Sequence, residues 1–191
     1  MIMIRNPVLI FQAKSFYNAY IALEQINQSG DQPLLYYVPM LVNGAFSIEI
    51  TLKAILTENQ IAYGKEHNLA VLFQQLPDSF KEELHAHLVE KAPEYADLDK
   101  FTEELILGSN AFVDWRYAFE GKAAPAFDSR FLSAFANAAI WTMFSHYNVD
   151  ITPSAEKIRE DEEIEEMFRK NREYCKDANL KMIQKNSKKN L

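Results

Sequence analysis

Glycine is scarce in this chain, with five in 191 residues. Few tight turns are implied. That argues against a sandwich or barrel of many short strands and favours long helices. Cysteine is scarcer still: Cys175 stands alone, so no internal disulfide can form. A reducing, cytoplasmic setting is expected. Residues 1–7 lack a basic leader followed by an apolar core, so no secretory signal is expected. The longest candidate apolar run, 134–144, contains Asn137 and is too short to cross a bilayer, so no membrane partner is expected. Glycine-rich phosphate loops, a G-x-S-x-G elbow and an H-E-x-x-H pair are all missing. His85 and His87 are two apart, hence about 200° apart on a helix, and cannot make a same-face metal pair. No metal and no cofactor is expected.

What is present is length and charge. A chain of this size buries roughly 70% of its unfolded surface and folds without a disulfide or metal staple. The net charge of −7 is unevenly spread. Residues 154–166 carry seven acids and two bases, and residues 167–191 carry eight bases and two acids. The body before them is acidic, which argues against broad non-specific DNA binding. Two domains are expected: a helical bundle over 1–152 and a charged helical tail over 153–191, frayed from Lys185 onward. Within the tail, Thr152-Pro153 reads as a helix start, and Ile164, Phe168, Cys175, Ala178 and Met182 recur at helical spacing.

Apolar periodicity lays out the bundle. Phe16, Ala19, Tyr20, Leu23 and Ile26 predict a helix over about 12–28. A second runs from about 38 to 60, with Pro39 in its first turn. Leu41, Ala45, Ile48, Leu52, Ile55 and Leu56 share one of its faces, and Asn43, Ser47, Thr51 and Glu58 share another. Val42, Phe46 and Ile50 widen its apolar surface, as befits a central helix with several neighbours. A loop over 63–68 leads into a short helix, 69–76. Ser79 with Glu82 reads as a capping box for a helix over 79–91. Further helices are expected from Asp97 to Ser109 and from Phe127 to Tyr147. The last places Phe131, Ala134, Phe135, Ala138, Trp141 and Met143 near the core, and puts His146 at its negative pole. Tyr17, Tyr20, Tyr36 and Tyr37 are expected at a dimer face. The fold class is all-α, an up-and-down helical bundle with a charged C-terminal helical extension.

Two segments set charge inside apolar runs: Ser47–Leu56, with Glu49 and Lys53, and Phe112–Glu120, with Asp114, Arg116 and Glu120. Buried charge is costly unless paired. Glu49 and Lys53 are four apart in the favourable order, as are Arg116 and Glu120 in spacing. One reading is an ion network tying the two segments together. The other is a polar pocket in which Lys53 and Arg116 bind a phosphate, nucleotide or other anion. His67 and Asn68 either join that pocket or cap the short helix that follows.

The pattern S-x-E-x-x-L-K-A-x-L at 47–56 is followed by His67-Asn68-Leu69 leading into Leu72-Phe73 and Leu76-Pro77. Trp115-Arg116-Tyr117 with Glu120 comes after that. In this order and spacing the three segments resemble the HEPN superfamily of helical bundles, over residues 10–148. The resemblance implies a bundle of four or more helices and a homodimer. Many HEPN proteins are metal-independent ribonucleases whose signature is an arginine, then four to six intervening residues, then a histidine. No arginine–histidine pair here has that spacing; Lys81 to His87 only imitates it. The resemblance therefore implies a non-catalytic binding or regulatory module, in a bacterial defence or toxin–antitoxin setting. Its ligand-binding residues would be Glu49, Lys53, His67, Asn68, Arg116, Tyr117 and Glu120, with a nucleotide or RNA as partner. The alternatives are a ribonuclease with a divergent site, using His67 or the Lys81–His87 stretch, and a structural module whose tail docks on a protein partner.

Overall fold

The computed structural model describes residues 4–29, 35–109 and 128–147. The chain separates into two units, Met1–Val149 and Asp150–Leu191, and the second lies wholly outside the described residues. So do the expected tail helices and the Phe112–Glu120 segment.

The first unit is an all-α bundle; no strand occurs among the described residues. Its helices are α1 (Pro7–Ser29), α2 (Tyr37–Glu58), α3 (Leu69–Gln74), α4 (Asp78–Lys91), α5 (Leu98–Ser109) and α6 (Ser129–His146), with a 3-10 turn at Pro93–Ala96 between α4 and α5. Helix α1 begins five residues earlier than its periodicity suggests. Asn6 Oδ1 accepts from Leu9 N–H at 3.0 Å, and Pro7 suits the first helical position. Helix α4 starts at Asp78 rather than at a Ser79 cap. Pro77 presets the entry, and its carbonyl takes the N–H groups of Phe80 and Lys81. Ser79 is simply inside the first turn. Asp97 and Asp128 do cap α5 and α6, accepting from Asp99 and Arg130 at 3.0 and 2.8 Å.

Helices α1 and α2 form the most extensive contact and run antiparallel. Glu58, at the end of α2, accepts from the Arg5 and Asn6 N–H groups at the start of α1. Helix α6 runs parallel to α2: Gly44 lies against Leu132, and Asn59 donates to the Tyr147 hydroxyl at 2.8 Å. The polar face expected on α2 is not solvent-facing. Ser47 and Thr51 are fully buried. Ser47 donates to Ala13 C=O on α1 at 3.3 Å and Thr51 to Ser47 C=O at 2.7 Å. Small hydroxyls satisfied by backbone carbonyls let α1 pack closely there. At Gly44 an added Cβ would sit 2.9 Å from both Leu132 and Tyr20, so glycine is required where α1, α2 and α6 meet.

Phe73, Tyr95, Phe101, Phe131 and Phe135 form the aromatic centre, with ring centroids 5.0–6.2 Å apart for the pairs in contact. Of the residues expected near the core, Trp141 is 62% exposed. Tyr20, expected at a dimer face, is fully buried. Helix α2 is also longer than the 134–144 run. It is long and apolar enough to cross a membrane, yet 72% of the qualifying window is buried among the other helices.

Candidate functional site

Helix α2 ends in a turn that sends the chain back along itself. Asn59 closes it, Gln60 takes the left-handed conformation at φ 62°, and Ile61 N–H bonds Leu56 C=O at 2.9 Å while Gln60 N–H bonds Thr57 C=O at 3.0 Å. This pair of bonds is the Schellman arrangement, with glutamine where glycine is usual. The following loop returns His67 to the middle of α2.

There the apolar period of α2 is broken by Glu49, only 3% exposed. Its Oε1 accepts from Lys53 Nζ at 2.8 Å and from His67 Nδ1 at 2.9 Å. A carboxylate has no proton to give, so the proton between His67 and Glu49 sits on Nδ1. Lys53 Nζ, 3.5 Å from the same nitrogen, is then a neighbouring donor and not its partner. The Lys53 ammonium also lies 5.5 Å from the centre of the Tyr63 ring. Of the three charged or chargeable groups, only the His67 imidazole faces water: its side chain is 66% exposed, against 12% for Lys53 and 4% for Glu49. Among the described residues its Nε2 has no hydrogen-bond partner.

The loop is held from both sides. Glu66 Oε1 accepts from the backbone of Asn68 at 2.7 Å and of His67 at 2.8 Å, which keeps its carboxyl below the ordinary glutamate value. Asn68 caps α3, accepting from Val71 N–H at 3.0 Å. Ser109, the last residue of α5, sits 3.1 Å from Asn68 Oδ1 and accepts from Ala70 N–H. Tyr63, Glu66 and Ser109 were not legible as site residues. Glu66 bonds only its immediate neighbours, Tyr63 reaches Lys53 because the chain reverses after α2, and Ser109 depends on how α3 and α5 meet.

The structure thus brings Glu49, Lys53 and His67 together, while the Asn68 side chain caps α3. Arg116, Tyr117 and Glu120 lie outside the described residues. Comparison with family models, curated proteins and solved structures gives no match.

In the Lys81–His87 stretch the two side chains have different partners. Lys81 pairs with Asp78 at 2.7 Å, whereas His87 turns toward α6, its ring 6.1 Å from Trp141. His85 bonds Tyr95 C=O at 2.9 Å on another face. On the α4–α6 seam Glu83 receives His146 Nε2 at 2.6 Å and Ser145 Oγ at 2.7 Å, with His87 Nε2 at 3.7 Å. The serine bonds the carboxylate and not the imidazole, so this is not a nucleophile–base arrangement. Among the described residues no group of three or more histidine, cysteine or acidic side chains is placed to hold a metal ion.

Proposed function

We propose that this chain is a non-catalytic, HEPN-like binding or regulatory module whose polar cluster at Glu49, Lys53 and His67 receives a nucleotide or other anionic ligand. One observation carries the reading. A buried carboxylate in an apolar helix is expensive. Here it is held by one ammonium beneath the surface and one imidazole at it, so the cluster opens to solvent through His67. Glu49 and Lys53 offset each other in charge. The ligand's first contact is therefore His67, with Asn68 and the 116–120 segment as the remaining candidates. The resemblance to HEPN proteins adds a homodimer and a defence or toxin–antitoxin setting; the lone cysteine adds a cytoplasmic location, and a protein partner for the charged tail belongs to the structural-module alternative.

Titration with ATP and with a short RNA tests it. Binding should weaken at least tenfold, about 1.4 kcal/mol, in His67→Ala while the helical circular dichroism is unchanged. Equal binding by wild type and variant would remove His67 from the site. A second reading, a ribonuclease with a divergent site, draws on the same geometry. Glu49 fixes the Nδ1–H tautomer, which leaves Nε2 as the nitrogen that could take a proton from a 2′-hydroxyl. RNA cleavage that survives His67→Ala would sink that assignment.

A further inference from the structure

On the other side of α6 lies an open cleft of ≈ 690 Å³, walled by the C-terminal half of α1, the end of α4 and the 3-10 turn, and floored by the first turns of α6. It shares no residue with the Glu49 cluster. Its size is that of a small-molecule site. Its chemistry is mixed. Glu24 and Glu94 bring carboxylates, and Lys91 and Arg130 bring cations. Arg130 is already committed, at 3.0 Å from Asp128 and 3.8 Å from Glu94. Lys91, the exposed last residue of α4, has no ion-pair partner among the described residues. Glu24 has no cation on it either. Its carboxylate accepts from the hydroxyl of the fully buried Tyr20 at 2.6 Å. The buried ring cannot swing, so the Tyr20 hydroxyl fixes the direction in which Glu24 presents its charge. Asn137, also in the wall, is held in turn by its 2.8 Å bond to the Tyr17 hydroxyl.

We propose that this cleft binds a small zwitterion, a short peptide with free ends, with its ammonium on Glu24 and its carboxylate on Lys91. The balance of charge selects against the obvious alternatives. A polyphosphate would meet Glu24 and Glu94, and a polyamine would meet Lys91 and Arg130. Among the described residues no aromatic side chain lines the cleft, so they offer no platform for a base or a sugar ring. Ala92 and Ala134 keep the floor low between the polar walls, leaving room for side chains of the ligand.

Isothermal titration of the full-length protein with tri-alanine tests the proposal. Tri-alanine should bind, and N-acetylation or C-amidation of the peptide should each weaken binding at least tenfold. Glu24→Gln keeps an acceptor for Tyr20 and should lose the response to N-acetylation. Lys91→Ala changes an exposed residue, cannot fail through unfolding of the core, and should lose the response to C-amidation. His67→Ala should leave tri-alanine binding unchanged, which separates this site from the first. No heat with millimolar tri-alanine, or equal binding of free and capped peptides, would overturn it.

Discussion

Lys53 Nζ lies 2.8 Å from Glu49 Oε1 one turn back on the same helix, and both side chains are at least 88% covered. The pair sets two charges within the most deeply buried stretch of α2. Removing Glu49 leaves an ammonium in a poorly hydrated place. Glu49→Ala should therefore destabilise the protein by about 3 kcal/mol in urea unfolding. The double variant Glu49→Leu, Lys53→Met should recover most of that loss, because neither charge is then stranded. If the double variant is as unstable as the sum of the singles, the pair is not what the fold depends on here.

Gly44 marks the closest approach in the bundle. A methyl group there would press on Leu132, which can shift, and on the ring of buried Tyr20, which cannot. Gly44→Ala gains helix propensity yet should cost about 1–2 kcal/mol net, a fall of several degrees in the melting temperature. An unchanged or raised melting temperature would show that α1 and α6 can part there freely.

Gln60 holds a left-handed conformation that only glycine adopts without strain. Gln60→Gly preserves both turn-closing backbone bonds and should stabilise the protein by about 0.5–1 kcal/mol in thermal unfolding. A destabilised variant would mean that the glutamine side chain contributes more than its backbone costs.

Glu83 gives a pH dependence with a definite sign. Burial pushes its carboxyl up, but the bonds from His146 and Ser145 more than reverse this and leave it below the ordinary 4.5. A lowered carboxylate stabilises the native state fully above its unfolded value. That contribution is lost as the pH falls from about 4.5 through the lower native value. Chemical denaturation from pH 6 to pH 3 should show this loss in wild type and a smaller one in Glu83→Gln. Identical slopes in the two proteins would dissociate the seam from acid stability.

Much of the bundle was legible because a helix announces itself through a local rule. The 3.6-residue apolar period and the capping residues lie within a few positions of one another, so α2, α5 and α6 could be placed to within about two residues. Trp141 escaped because the period says which residues share a face, not whether another helix covers that face. In α6 the stripe carrying Trp141 is the one left open between α1 and α4. For Ser47 and Thr51 spacing gave the shared face, and only packing decided that they are buried, with backbone carbonyls of α1 and α2 satisfying them.

The same division holds for the candidate site. Sequence alone determined that Glu49 and Lys53 would meet, because four residues make one turn. It also determined that His67 and Asn68 would stand at the mouth of a short helix. Tertiary structure alone decided that His67 folds back onto Glu49, through a left-handed turn at Gln60 that no glycine announced. It alone decided that Tyr20 is buried and aims Glu24 into a cleft. Local hydrogen bonds are written in spacing; contacts between distant segments are decided by which faces cover one another as the chain collapses.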